Sequence, residues 1–314
     1  MHLPDTFIDH ETPRCLIIGV GGCGCAIINK MIATAYGGVT YIAVDSDFDS
    51  LKACKAERKI FISKAVLKNT DEAESELQTH LADIPCVDMV FVVSGMGGAT
   101  GTKISPTIAE YAKQREALTI GVAMLPLPDE GGQYAVIAEK GLPVLRQAAN
   151  SMVVVQKASF QEADQTIITG ITGIAGTVTR NGLLGVDLAD LKEILGNGSI
   201  AHIGYASANG KDRARQAIEK ATSSPAFVSG ALEKAPGVIL VITGDNNMNI
   251  DEVSETTDIV TGRCKEHAKI LFQGFHDGKA GEFSVLIVAC EEVVSTLRPS
   301  PLVILAKQGG NCLN

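Results

Sequence analysis

The sequence predicts an α/β protein, with a parallel sheet, a long central helix and a smaller second unit carrying a mixed sheet. Three observations predict it. Short apolar runs alternate with helix-patterned stretches through the first half of the chain. Two glycine-rich loops, at 19–25 and 94–102, each stand between an apolar run and a helix. A proline-free amphipathic stretch over 160–179 is long enough for a single helix with one buried face.

Taken in order, residues 1–13 form a polar arm ending at Pro13. Residues 14–20 are an apolar strand, followed by the first glycine loop and a helix reaching 35. Strands at 39–44 and 58–63 come next, then a charged, exposed helix over 69–83. The strand at 88–93 leads into the second glycine loop, with a helix expected to start near Ile104-Ser105-Pro106 and run on through 108–117. A strand at 119–124, a loop at 126–131, a helix at 139–149 and a sixth strand at 151–155 follow. The long helix should stop at Asn181-Gly182, since glycine readily takes the left-handed conformation that ends helices. Composition then shifts: a short helix at 188–195, a strand at 200–206, a charged helix at 211–222, and strands at 237–243, 268–273 and 283–289 around a helix at 250–267. The expected organisation is an arm (1–13), a first domain (14–158), a central helix with its following loop (159–198), a second α/β domain (199–298) and a short tail (299–314).

Apolar residues make up 46% of the 314 and aromatics only 4%, with no tryptophan, which suits a core of Val, Ile, Leu and Ala. The formal charge of -9, without a basic block, argues against nucleic acid as a partner. No apolar run approaches the roughly 18 residues of a membrane span, and the N-terminus lacks a signal-peptide pattern, so a cytoplasmic protein is expected. Eight scattered cysteines read as free thiols in a reducing compartment. Cys23 and Cys25 lack partner ligands at useful spacing, so no metal site is expected and they read as two small loop residues.

The chemistry rests on the loops. In Ser94-Gly-Met-Gly-Gly-Ala-Thr-Gly-Thr102, glycines and small hydroxyl residues leave backbone N–H groups free to converge on an anion at a helix N-terminus, which describes a phosphate cradle. The Walker order Gly-Lys-(Ser/Thr) is not met, because the chain reads Gly101-Thr102-Lys103. The first loop, Gly19-Val-Gly21-Gly-Cys-Gly24, fits the dinucleotide fingerprint, with Asp45 at the end of the next strand. Alone it would suit a nicotinamide oxidoreductase with Asp45 on a ribose hydroxyl. Two amide-rich loops on one sheet edge suit a nucleoside triphosphate better.

Gly97-Gly98-Ala99-Thr100-Gly101-Thr102 resembles the tubulin signature, departing from it at Ala99 and Lys103, and its flanks look most like FtsZ. The resemblance extends through 19–31 with Asn29, 42–47, 124–131, 179–190, and 206–225 with Asp212-Arg213-Ala-Arg215 and Ser223-Ser224-Pro225. It implies the tubulin-like fold and a site for GTP or GDP, with Mg2+ a further candidate. The residues carried over are Gly21, Gly22, Cys23, Asp45, Gly97, Gly98, Ala99, Thr100, Gly101, Thr102 and Glu130, with Asp164 and Gln165 where the family reads guanine. Gly182-Leu-Leu-Gly-Val-Asp187-Leu-Ala-Asp190 is similar to the family's catalytic loop, with Asp187 and Asp190 as the catalytic candidates and Gly185 where the family keeps Asn. Asp187 is equally suited to capping the helix that starts at Leu188, and the two roles are compatible. In the family this loop enters the next subunit's nucleotide site. The implied function is therefore a head-to-tail self-assembling GTPase, with a standard FtsZ a further candidate partner.

Several departures give the alternative expectation, a structural homologue with little or no turnover. Residues 61–70 lack the glycines of the family's γ-phosphate loop, leaving Lys64, Lys68 or Lys103 as possible charge donors. Tyr134 stands where the family has a basic nucleotide contact, and Gln165 replaces the Asp that reads guanine. No family recruitment peptide is evident in the tail, whose apolar run 302–305 suggests an edge strand or partner contact.

Overall fold

The computed structural model describes residues 12–292, apart from 35, 65, 66, 68, 69, 83, 85, 157–159, 197, 225 and 226. The arm through residue 11 and the tail from 293, including the run 302–305, lie outside the described residues.

The elements are β1 (Cys15–Val20), α1 (Gly21–Ala33), β2 (Val39–Asp45), α2 (Phe48–Ala53), β3 (Arg58–Phe61), α3 (Thr70–Ala82), β4 (Met89–Gly95), α4 (Ala99–Gln114), β5 (Leu118–Leu125), α5 (Gly132–Ala148), β6 (Ser151–Gln156), α6 (Phe160–Thr179), α7 (Leu188–Leu195), β7 (Ser199–Asn209), α8 (Arg213–Thr222), α9 (Ala231–Lys234), β8 (Gly237–Gly244), α10 (Ile250–Arg263), β9 (Lys269–Phe275) and β10 (Glu282–Glu291). The ten strands share one sheet in the order β3-β2-β1-β4-β5-β6-β7-β10-β8-β9. Every pairing is parallel except those of β10, which runs antiparallel to both β7 and β8. The mixed sheet expected for the C-terminal part is thus present as a continuation of the first sheet. The seam is short, with three residue pairs joining β6 to β7, from Ser151↔Ser199 to Val153↔Ala201.

The central strands are buried on both faces, which explains their continuous rather than alternating apolar character. One core runs along the face covered by α1 and α6 and reaches from Ile17 and Phe91 to Leu271 and Leu286. The opposite face carries two separate cores, one beneath α3–α5 and one beneath α8–α10. The stripe Ile167, Ile171, Ile174 and Val178 shows why 160–179 is one helix: buried residues recur at helical spacing against a surface contributed by both halves.

Several boundaries differ from the sequence expectation, and one short helix, α2, was not expected. Helix α4 begins at Ala99, within the glycine loop, and Pro106 is accommodated inside it. Pro106 had suggested a start because proline favours a first turn. Similarly α5 begins at Gly132 and contains Pro143, and the short helix α2 is capped by Asp47, whose carboxylate accepts from the Ser50 amide at 2.9 Å. Helix α10 ends at Arg263 rather than near 267.

The C-terminal half is anchored by a buried ion network. Arg213 donates from Nε and Nη2 to both oxygens of Glu252 (2.6 and 3.0 Å) and from Nη1 to Asp245 Oδ1 (3.0 Å). The second Asp245 oxygen accepts from the Gly281 amide and from Asn247 Nδ2. The Gly281 amide, followed by Arg213 and Asn247, holds the Asp245 carboxyl down to about 2, against an ordinary 3.8. Stability from the ionised group is therefore complete above the ordinary value and is lost as the pH falls from there through about 2. Asp245→Asn should lower the urea midpoint at pH 7, and its gap from wild type should close on acidification to about pH 2. A gap that keeps its full size there would rule out the charge as the source of the stabilisation.

Candidate functional site

Strands β1 and β4 are neighbours, with Val20 opposite Ser94, so the loops that follow them lie side by side. Each passes directly into a helix, α1 at Gly21 and α4 at Ala99, and neither helix has a side-chain cap. The first-turn amides of any helix lack intrahelical acceptors. Two sets of such donors, with the positive ends of two helix dipoles, therefore face one cleft of about 220 Å³.

Gly21, Gly22, Cys23, Gly98, Ala99, Thr100, Gly101 and Glu130 all line this cleft, together with Tyr134, Met96 and Pro126. Gly97 lies beside it with φ +106°, a conformation that side chains rarely adopt, and a Cβ there would lie 2.8 Å from the Tyr134 carbonyl. At Gly101 a Cβ would lie 2.3 Å from the carbonyl oxygen of Gly95, so the loop closes only on glycine. Thr102 stabilises the loop from within, its Oγ1 accepting from the Gly97 amide at 3.0 Å. Ser46 Oγ and Thr100 Oγ1 share a buried hydrogen bond of 2.7 Å, tying the loop after β2 to the signature loop.

Asp45 sits under this joint, outside the lining of the cleft. Its Oδ1 accepts from the amides of Ser46 (2.7 Å) and Asp47 (3.2 Å), while Oδ2 is buried without a hydrogen-bond partner among the described residues. Asp164 and Gln165, in the first turns of α6, are also outside the lining. Asp164 is ion-paired with Lys30 of α1, and Gln165 Nε2 donates to Thr169 Oγ1 at 3.1 Å. Glu130 turns back to accept from the Leu127 amide at 2.6 Å, and Tyr134 is half exposed at the rim.

Lys103 is directed away from the cleft, donating to the Leu67 carbonyl at 2.9 Å and so bracing the segment after β3. Lys64 is exposed, and Lys68 lies outside the described residues. The two loop cysteines have different surroundings: Cys23 lines the cleft, with its sulfur 3.8 Å from that of Met124, whereas Cys25 is buried against Cys54. Hydrogen bonding to Cys54, with burial, pushes the Cys25 thiol up. The same bond, helped by the Ala56 amide and Lys59, brings Cys54 down to about 6. Among the described residues no three His, Cys, Asp or Glu side chains gather as a metal site.

The acidic loop is elsewhere. It runs along β9, where the Leu183 amide donates to the Gly274 carbonyl at 2.9 Å, and passes into α7. Asp187 and Asp190 form a reciprocal capping box there: Asp187 Oδ1 accepts from the Asp190 amide at 2.9 Å, and Asp190 Oδ2 from the Asp187 amide at 3.3 Å. Asp190 Oδ1 also lies 3.7 Å from Lys269 Nζ. Helix α7 sits at the start of β5, since Lys192 donates to the Glu116 carbonyl, whereas Pro126 at the far end of β5 lines the cleft. A strand of eight residues spans about 25 Å. The cradle and the acidic loop thus lie at opposite ends of the strands.

Gln273 of β9 was not among the residues singled out from the sequence. It is fully buried and bonds both to the acidic loop and to the end of α6. A glutamine interrupting the apolar run 270–275 was the available signal.

The chain matches the GTPase-domain model of the tubulin/FtsZ family over residues 14–164 and the C-terminal-domain model of the FtsZ family over residues 199–291. Among solved structures it is similar to an empty FtsZ dimer from M. jannaschii, with 26% identity, a TM-score of 0.81 and 90% of each chain covered. It also shares its fold with two proteins from Haloferax volcanii, each covering 94% of this chain and 98% of its own at 21% identity. One is CetZ1 as a GDP-bound monomer (TM-score 0.76) and the other CetZ2 as a GTPγS-bound protofilament (TM-score 0.73). No described helix is long and apolar enough to cross a membrane. With both domain models matched in order, and the paired glycine loops at one edge of the sheet, this chain belongs to the tubulin/FtsZ family as a divergent FtsZ-like member.

Proposed function

We propose that this protein is a cytoplasmic, GTP-binding cytoskeletal element that assembles head to tail, each subunit's α6–α7 loop completing GTP hydrolysis in its neighbour. One observation carries the reading: the cradle and the two loop carboxylates lie at opposite ends of β5, so a single chain cannot bring them together, whereas stacking along the strand direction can. The GDP- and GTPγS-bound states of the CetZ proteins support a guanine nucleotide in the cradle. The FtsZ dimer and CetZ2 protofilament support self-association.

In this reading the first-turn amides of α1 and α4, with the backbone around Gly97 and Gly98, bind the phosphate chain. Mg2+ accompanying the nucleotide would neutralise phosphate charge. Asp187 and Asp190 of the incoming subunit orient an attacking water, and positioning is most of what phosphoryl transfer requires of the protein. A second reading, assembly with little turnover, is favoured by a specific feature. Both carboxylates are already committed to capping α7, Asp190 also faces Lys269, and among the described residues, chain neighbours aside, nothing lies within 4 Å of where a side chain would start at Gly185.

Gly97→Ala should weaken GTP binding about tenfold or more through strain at the positive φ and displacement of the Tyr134 backbone, measured by nucleotide titration of the unassembled protein. Asp190→Asn, which keeps the size and much of the cap, should bind GTP normally yet release phosphate about a hundredfold more slowly. Mixing Asp190→Asn with Gly97→Ala subunits should restore turnover, because each supplies what the other lacks. A mixture as slow as its components would exclude a site shared between subunits. Sedimentation indifferent to nucleotide, with wild type releasing no phosphate, would select the second reading.

A further inference from the structure

We propose that Gln273 is a positioning residue for the α6–α7 loop, clamping it in the conformation in which its acidic residues meet the neighbouring nucleotide; this rests on the function proposed above. The side chain is 1% exposed, and both ends of its amide are engaged. Oε1 accepts from the amides of Leu184 (3.1 Å) and Gly274 (2.9 Å). Nε2 donates to the Leu184 carbonyl (2.7 Å) and to the Thr177 carbonyl (3.4 Å), the latter in the last turn of α6. One side chain thus joins the end of the central helix, the loop and strand β9.

The space for it is supplied by Gly182, where a Cβ would lie 2.2 Å from Gln273 Oε1. Sequence-distant Gly182 and Gln273 therefore form a matched pair. Strand β9 holds the segment at three points, through the Gly274 carbonyl at Leu183, Gln273 at Leu184 and Lys269 at Asp190. Gly185 offers no side chain with which the loop could hold itself. Releasing the loop would strip the buried amide of both its Leu184 hydrogen bonds, including the shortest at 2.7 Å, which disfavours any arrangement but the docked one.

The test compares wild type, Gln273→Leu and Gly182→Ala as full chains. Amide hydrogen exchange at 183–184 reads the clamp, GTP titration reads the pocket, and phosphate release per sedimented subunit reads the loop's action. Gly182→Ala keeps Gln273 while obstructing its seat, and so guards against a Gln273→Leu chain that fails to fold. Both variants should exchange Leu184 faster, bind GTP with unchanged affinity, and release phosphate about tenfold to a hundredfold more slowly per sedimented subunit. A residue that merely stabilised the fold would lower the melting temperature and leave turnover per assembled subunit intact. That outcome, or unchanged exchange at Leu184, overturns the proposal. A wild type that binds GTP and sediments without releasing phosphate overturns the hydrolytic reading and the positioning role with it. Exchange at Leu184 would then still show whether the clamp itself exists, which separates the two failures.

Discussion

The adjacency of β1 and β4 is the constraint from which the rest of the molecule follows. The sheet grows outward from this pair in both directions, through β2 and β3 on one side and β5 and β6 on the other. At such a reversal the two crossover helices must leave on opposite faces, opening a crevice at the carboxyl ends of the strands. Helix α1 accordingly packs in the core of one face and α4 in that of the other. Their uncapped N-termini meet across the crevice, and the glycines are required where backbone must approach backbone, as at Gly101 against Gly95.

The same sheet joins this site to the distant loop. The β6–β7 seam is short, but α6 lies across both halves and buries one continuous apolar stripe. Its first turns are tied to α1 by Lys30 and Asp164. Its last turns are held by Tyr36, whose hydroxyl donates to the Thr172 carbonyl, and by Arg180 stacked on Phe275 and paired with Asp277. Rigid elements therefore run from the cradle to the opposite end of the strands, where β9 receives the acidic loop.

Much of the site was legible in the sequence because backbone chemistry leaves a compositional trace. Glycines at a strand-to-helix junction announce free amides whatever surrounds them, and the residues lining the cleft are largely those glycine-rich positions. Side-chain roles were less legible. Asp164 was expected near a base and is paired with Lys30, a contact that depends on how α6 crosses α1. Lys103 was a candidate for phosphate and instead braces the segment after β3. Gln273 was passed over because a lone polar residue in an apolar strand acquires meaning only from the loop that docks against it.

By itself the sequence determined the ten strands, the long helix and the two glycine-rich loops, because apolar periodicity and glycine placement are local properties of the chain. Only the tertiary structure decided that the strands form a single sheet, that α4 starts inside the glycine loop, and that the cradle and the acidic loop face away from one another. Those outcomes depend on strand order and helix crossing, which are set by contacts between residues far apart in sequence and leave no periodic signal in it.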